Sequence, residues 1–150
     1  MRHVIVGAGP AGVIAAEHLR KYDPDSEITL IGGEPEPPYS RMAIPYLLIG
    51  QIDETGTYLR KQDGHYERLR INLVQDRVTN VDPSAKTVSL AGGASQAFDK
   101  LLIATGASPM TPPISGLEHG GVHACWTLAD AREIASRTGK GKAVVLIGAG

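Results

Sequence analysis

Three glycines near the amino terminus have the spacing needed to hold a diphosphate. They form a G-x-G-x-x-G pattern at Gly7, Gly9 and Gly12, directly after a short β-branched run. In such a turn the first glycine permits the tight bend, the second lets the backbone approach a pyrophosphate, and the third lets a helix pack closely on the strand. Pro10 suits the first helical turn. The pattern predicts a nucleotide site at the amino end of a helix. A glycine-rich turn in an ordinary strand–helix unit is the alternative.

An acidic residue follows the second predicted strand at the distance that dinucleotide-binding folds require. Residues 27–31 have the pattern of a buried parallel strand. Glu34 lies about 20 residues beyond the last glycine, where a carboxylate accepts hydrogen bonds from ribose hydroxyls. Asp25 and Glu36 compete for this role, but neither lies directly at the end of the strand. We therefore expect Glu34 to bind a ribose, with a solvated loop glutamate as the alternative.

The next segment is predicted to be a loop followed by short helices. Three prolines within residues 35–38 exclude a helix there and favour an extended chain. One or two short helices should follow over residues 42–49, broken by Pro45. A surface helix should begin near residue 63, and its His65 and Tyr66 are expected to be exposed.

The second half of the chain alternates short strands with turns. The strands between residues 71 and 98 predict an antiparallel meander inserted between parallel strands. Residues 101–106 form an apolar run of the buried-strand type that ends in small residues, where backbone could touch a ligand. Thr127 and Asp130 form a capping-box-like start for a helix that should end near Thr138.

Composition excludes several classes of protein. The chain has 150 residues, 42% hydrophobic and 21% charged, with a net charge of −1, so it lacks the basic surface of a nucleic-acid-binding protein. Its apolar runs are too short to cross a membrane, and glycines and a proline interrupt the one that could resemble a signal peptide. A single cysteine excludes an internal disulfide and is typical of a reducing compartment. We expect a cytoplasmic protein without a nucleic-acid or membrane partner.

One cluster could in principle hold a metal ion. His119, His123 and Cys125 form an H-x3-H-x-C pattern at the end of a glycine-rich loop. The pattern offers no fourth ligand, so we assign no metal site. We expect His119 to be solvated and Cys125 to be a small buried hydrophobic residue.

The final residues repeat the opening of the chain. Residues 145–150 read Val-Leu-Ile-Gly-Ala-Gly, against Val-Ile-Val-Gly-Ala-Gly at residues 4–9. This repeat predicts one domain over residues 1–140 and, over residues 141–150, the first strand of a second, truncated dinucleotide-binding domain. A plain carboxyl-terminal strand is the alternative. We therefore expect this chain to be the amino-terminal part of a longer polypeptide.

Together these motifs resemble one family, the pyridine nucleotide–disulfide oxidoreductases with two dinucleotide-binding domains. Within it the chain is most similar to the branch of nitrite reductase large subunits, rubredoxin reductases and ferredoxin reductases of oxygenase systems. The resemblance covers essentially the whole chain, and its matching pieces are Gly7–Gly12, Glu34, Pro38–Arg41, Phe98–Gly106 and Val145–Gly150.

The resemblance implies an α/β fold: a Rossmann-like FAD-binding domain with a central parallel sheet and an inserted antiparallel meander. It implies FAD at the first glycine motif and NAD(P)H as co-substrate at the truncated second one. Arg41 would lie near the flavin-side phosphate or ribose, and Val78 would offer backbone contacts to the adenine. The full set of implied cofactor-binding residues is Gly7, Gly9, Pro10, Ala11, Gly12, Glu34, Arg41, Val78, Ala104, Thr105 and Gly106.

Three positions depart from the family pattern. Residues 35–60 contain no cysteine, which argues against disulfide and coenzyme A disulfide chemistry. Ferredoxin reductases often have Leu-Ser-Lys where this chain has Ile44-Pro45-Tyr46, so the lysine near the flavin is missing. Trp126 occupies a position that relatives often fill with arginine.

Three functions remain open from the sequence. The first is an FAD-dependent oxidoreductase that passes electrons from NAD(P)H through flavin to an acceptor, either a protein or a small molecule, with a homodimer as one expected assembly. The piece alone is not expected to be catalytically competent, and no catalytic residue is assigned. The second is a non-catalytic nucleotide-binding regulatory or scaffold domain. The third is a simple NAD-dependent dehydrogenase, against which the meander and the repeated motif argue.

Overall fold

The computed structural model describes residues 1–148, which divide into two compact units. The first contains Met1–Ser40 and Thr57–Ala107, and the second contains Arg41–Gly56 and the chain from Ser108. The domain boundary expected near residue 140 stays a prediction.

Within the described residues the regular elements are as follows. The strands are β1 (Arg2–Val6), β2 (Glu27–Gly32), β3 (Ile71–Gln75), β4 (Val78–Asp82), β5 (Thr87–Leu90), β6 (Ser95–Ala97) and β7 (Lys100–Ile103). The helices are α1 (Pro10–Tyr22), α2 (Ile44–Leu48), α3 (His65–Arg68) and α4 (Leu128–Arg137), with 3-10 turns at Arg41–Ala43 and Glu54–Thr57. No helix in this part of the chain has the length and apolar character needed to span a bilayer.

The first unit is built on a parallel sheet in the order β3-β2-β1-β7. Alternate side chains of its strands enter two separate cores, as the two-residue period of a strand requires. On one face Ile5 and Leu30 pack with Val13 of α1 and with Tyr66 of α3. On the other face, residues of β1 and β2 pack with two residues of β5 and with the residue that follows β6. The buried members of this core are Val4, Val6, Ile31, Val88, Leu90 and Phe98. The expected α/β fold, with a parallel sheet and a separate antiparallel meander, is confirmed.

The structure corrects two expectations about strands. Residues 71–75 do not start the meander: β3 pairs in parallel with β2, and the antiparallel sheet contains β4, β5 and β6. Strand β7 was expected to be buried, but Leu102 and Ile103 are 42% and 63% exposed. The reason is its position at the edge of the described sheet, where its one strand neighbour is β1.

Two further expectations about single residues were wrong. Tyr66 is buried, not exposed, because α3 packs its ring against the same core as α1. Pro45 lies in the first turn of α2 and so begins that helix instead of breaking it.

The second unit has a small core and much irregular chain. Helices α2 and α4 pack together, with Ile44 and Leu128 buried. The expected capping box is present: the Asp130 N–H donates to Thr127 Oγ1 at 3.1 Å, and the Thr127 N–H donates to Asp130 Oδ2 at 2.8 Å. Residues 142–148 are irregular and belong to no strand of the described chain, so the strand expected there is not seen. Ala149 and Gly150 lie outside the described residues, and the assignment of this segment to a second domain stays a prediction.

Candidate functional site

The predicted site residues of the first unit follow the carboxyl ends of neighbouring strands. Because β1, β2 and β7 are parallel, the chain leaves all three at the same edge of the sheet. The Gly7 N–H donates to the carbonyl of Ile31 at 2.8 Å, and the Ala104 N–H donates to the carbonyl of Val6 at 2.7 Å. In open α/β sheets this edge is where ligands bind.

Two of the three motif glycines are required by the packing of the protein itself. Gly7 has a φ of +113°, and a Cβ there would lie 2.2 Å from the carbonyl oxygen of Ala104. A Cβ on Gly12 would lie 1.9 Å from the carbonyl oxygen of Gly7. Both positions exclude any side chain, since real Cβ contacts are never this short. The first turn, α1 and the end of β7 therefore pack together because these residues are glycines.

Gly9 differs from the other two, because no packing contact explains it. Its φ is −77°, a value open to every residue, and apart from its chain neighbours and the adjacent helix backbone no described atom lies within 4 Å of the place where a Cβ would be. Gly9 is also the N-cap of α1, so no side chain occupies the capping position. The next residues, Pro10 and Ala11, bring no acidic group to the first turn. An open space beside helix amides is the environment that a bound phosphate requires.

Glu34 lies where the sequence predicted, just beyond β2 and beside the glycine motif. A Cβ on Gly32, the last residue of β2, would lie 2.9 Å from Cβ of Ala8, so the two chain segments touch. Glu34 is half-buried, and the Tyr39 hydroxyl donates to its Oε2 at 2.6 Å. Sequence reasoning gave Tyr39 no role. Its only signal was its place in the Pro-Tyr-Ser-Arg loop shortly after the acid.

Two side chains hold the loop that begins at Glu34. Gln75, at the end of β3, donates through Nε2 to the carbonyls of Pro35 at 2.8 Å and of Glu36 at 3.2 Å. Tyr39 is buried, at 7% exposed. The proline-rich segment is therefore fixed at both ends, although it forms no regular structure.

The remaining predicted contacts of the first unit lie at strand ends. Val78 begins β4, is half-buried and packs on the core that contains Phe98. Ala104 is half-buried, whereas Thr105 and Gly106 are exposed; Gly106 has a φ of +71°. The roles of these residues toward a cofactor stay predictions.

Arg41 belongs to the second unit. Its guanidinium lies over the Trp126 ring, 5.2 Å from the centroid, and its Nη1 donates to the Trp126 carbonyl at 3.3 Å. Both contacts favour a fixed guanidinium, since an arginine stacked on an aromatic ring has fewer conformations. Its expected place near a phosphate or ribose stays a prediction.

A charged cluster supports α1 away from the glycine motif. Glu17 accepts hydrogen bonds from Arg60 Nε at 2.7 Å and Nη2 at 2.6 Å, and His65 Nε2 lies 2.9 Å from Glu17 Oε1. The Arg60 hydrogen bond holds the pKa of Glu17 below its ordinary value, against the opposing effect of burial. Burial also raises the pKa of Tyr66 to about 12. His65 was expected at the surface, but this contact leaves it half-buried.

The cysteine and the histidines considered as metal ligands do not form a cluster. Within residues 1–148 no group of three His, Cys, Asp or Glu side chains is placed to hold a metal ion. His119 is exposed, as expected. Cys125 is a free thiol and is exposed, so the expectation of a buried residue was wrong; it lies in irregular chain before α4.

Comparison with known proteins identifies the family. The model of the pyridine nucleotide-disulphide oxidoreductase family matches residues 1–150, the whole chain. The chain belongs to this family. Among curated members it is 36% identical to a probable ferredoxin reductase of Castellaniella defragrans over 150 residues, which cover 99% of this chain and 37% of that protein. It is 33% identical to a rubredoxin-NAD(+) reductase of Ectopseudomonas oleovorans, covering 100% of this chain and 39% of that protein.

Solved structures named as a reductase and an oxidase share the fold of this chain. A ferredoxin reductase from Rhodopseudomonas palustris superposes with a TM-score of 0.84 at 26% identity, over 91% of this chain and 34% of that one. A water-forming NADH oxidase from Lactobacillus brevis gives 0.80 at 25% identity, over 91% and 32%. The chain thus spans about a third of the length of these relatives.

Proposed function

We propose that this chain is the FAD-binding part of an FAD-dependent NAD(P)H oxidoreductase. Gly9 carries the proposal, because neither backbone strain nor packing within the described chain explains a glycine there, whereas a diphosphate approaching the helix amides does. Membership of the family and relatives named as reductases and an NADH oxidase support the same reading.

Each predicted residue has a defined task in this proposal. The amides after Gly9, with the positive end of the α1 dipole, hold the diphosphate, and Gly7 and Gly12 keep that helix close to the sheet. Glu34 accepts hydrogen bonds from the adenosine ribose. Arg41, oriented by its stacking on Trp126, supplies a cation to a phosphate or ribose oxygen. FAD bound there would supply the redox chemistry, namely hydride transfer from nicotinamide and electron transfer to an acceptor.

The acceptor is proposed to be a small redox protein. Curated relatives include proteins named for ferredoxin and rubredoxin, and one structural relative is a reductase captured with putidaredoxin. The absence of cysteine from residues 35–60 argues against a redox disulfide in this segment.

Substitution of Gly9 tests FAD binding separately from the stability of the fold. Gly9→Val places its Cβ in open space, so the variant should fold with a loss of only about 1 kcal/mol from the N-cap position, while its affinity for FAD falls at least tenfold. Gly12→Ala is the matched control for a packing defect, and it should lower stability together with FAD affinity. Wild-type protein that is folded but takes up no FAD, measured by flavin absorbance and fluorescence, would contradict the proposal.

Electron transfer needs the longer polypeptide that the repeated motif predicts. Anaerobic NADH or NADPH should bleach the flavin absorbance of that protein. A bound flavin that neither nicotinamide reduces would favour the non-catalytic nucleotide-binding domain instead.

A further inference from the structure

The contact between Tyr39 and Glu34 is short and partly shielded from water. The phenol donates to Glu34 Oε2 at 2.6 Å, a distance typical of a hydrogen bond from a hydroxyl to a carboxylate and shorter than most hydrogen bonds between neutral groups. Tyr39 is 7% exposed, and Glu34 is half-buried. Hydrogen bonds to a charged group are stronger than neutral ones, so this contact restricts the glutamate side chain.

The backbone fixes Tyr39 from both sides. It forms an isolated antiparallel bridge with Tyr58. The Ser40 N–H donates to the Thr57 carbonyl at 2.9 Å, and the Leu59 N–H donates to the Pro38 carbonyl at 2.9 Å. The phenol is therefore held on a rigid support, although the chain around it is neither helix nor long strand.

Glu34 follows two glycines at the end of β2, and its side chain has three rotatable torsions. A carboxylate binds a ribose hydroxyl well only when its oxygens already point at the hydroxyl. A mobile side chain loses conformational entropy when it is ordered by binding, and this loss lowers the affinity. A carboxylate that accepts one hydrogen bond keeps capacity to accept others.

We propose that Tyr39 is a positioning residue that orients the Glu34 carboxylate toward the adenosine ribose and so sets the preference for a ribose over a deoxyribose. The inference rests on the proposed function. It adds the contact that makes Glu34 selective, which is the hydrogen bond from the buried Tyr39, held in place by the bridge to Tyr58.

The test compares ADP with 2′-deoxy-ADP, which share the base and the diphosphate and differ in one ribose hydroxyl. Wild-type protein should bind ADP about tenfold more tightly than the deoxy nucleotide, the range expected for one hydrogen bond to a charged group. Tyr39→Phe, which keeps the ring and its packing, should lower this ratio to about threefold or less. Glu34→Gln should lower it as well, and the double variant should lose no more than Glu34→Gln alone.

Tyr58→Phe is the matched control, since it removes a phenol hydroxyl from the other residue of the bridge. Its ratio of ADP affinity to 2′-deoxy-ADP affinity should equal that of the wild type. A merely structural role for Tyr39 would weaken both nucleotides equally and leave the ratio unchanged, which would overturn the inference. If Tyr39→Phe fails to fold, the Glu34→Gln ratio decides whether the acid discriminates at all, and an unchanged ratio there also overturns it. Failure of the proposed function is distinguishable, because the wild type would then bind neither FAD nor ADP.

Discussion

Residues 4–9 and 145–150 have nearly the same sequence, but the described parts of these two segments differ completely in structure. Val4 and Ile5 are 1% and 0% exposed in the middle of a sheet, whereas Val145 and Leu146 are 86% and 84% exposed in irregular chain. Both segments have strong β-propensity, so propensity does not explain the difference.

The neighbours of each segment explain it. Strand β1 lies between β2 and β7, which take its backbone hydrogen bonds, and side chains of α1 and the meander cover its two faces. Residues 142–148 pair with no strand in the chain as far as the structure describes it. An apolar run thus becomes a strand only where other segments satisfy its backbone and bury its side chains.

The glycines that follow the two runs give the largest expected difference. Gly7→Ala would place a Cβ 2.2 Å from a carbonyl oxygen at a φ of +113°, so we expect a loss of about 4 kcal/mol or more in the free energy of unfolding, or no folding at all. Gly148→Ala, the equivalent change in the second run, meets no described atom within 4 Å beyond its chain neighbours, so we expect only the strain of its φ of +86°, about 1–2 kcal/mol. Urea denaturation followed by circular dichroism measures both. Equal losses would show that Gly7 and Gly148 have the same surroundings.

Truncation of the apolar residues gives the next largest difference. Ile5→Ala removes a fully buried side chain and should cost about 2–5 kcal/mol. Leu146→Ala, at the equivalent position, removes an exposed one and should change stability by less than about 0.5 kcal/mol. The same denaturation experiment applies. A large loss for Leu146→Ala would mean that this run is buried in solution.

The sequence predicted the parts of the fold that depend on local patterns. The glycine spacing located the first turn, the run over residues 27–31 located β2, and Thr127 with Asp130 located the start of α4. Each of these signals lies within one element or one turn. The burial of β7 could not be predicted, because it depends on which strands lie beside it.

The candidate site was predictable to the same extent. The packing positions of Gly7 and Gly12 could be predicted because they depend on distance along the chain from a single strand, whereas the ribose contact of Glu34 stays a prediction. Tyr39 was missed, since its hydroxyl reaches Glu34 only through the fold of a proline-rich loop and through the bridge to Tyr58. Contacts made by irregular chain have no periodic signature that a sequence could show.

Ion pairs sharpen the comparison between the two units. Glu17→Gln breaks a partly buried contact with Arg60 and should cost about 1–2 kcal/mol at pH 7. Glu54→Gln breaks the more exposed pair with Arg132 and should cost less than about 1 kcal/mol, because solvent screens it.

Arg60 lowers the pKa of Glu17 in the folded protein. The stabilisation by this ion pair is therefore present above the ordinary pKa of 4.5 and is lost as the pH falls further. The wild type and Glu17→Gln should therefore converge in acid, and a difference that stays constant from pH 7 to pH 3 would contradict this assignment.

Substitution of Tyr66 should have the smallest effect on the free energy of unfolding at neutral pH. It tests whether the core beside β1 excludes water, as the burial of Tyr66 indicates. Its hydroxyl is buried without a hydrogen-bond partner in the described chain, so Tyr66→Phe should be neutral or slightly stabilising at pH 7. Burial raises the pKa of Tyr66 to about 12 from an ordinary value of 10.0. The unfolded chain then releases its proton first, and the wild type should lose stability as the pH rises from 10 toward 12, while Tyr66→Phe should lose less. Tyr46→Phe, at an exposed position in the second unit, is the control. If the two phenylalanine variants share the alkaline profile of the wild type, water reaches Tyr66 and the core beside β1 opens more readily than its packing implies.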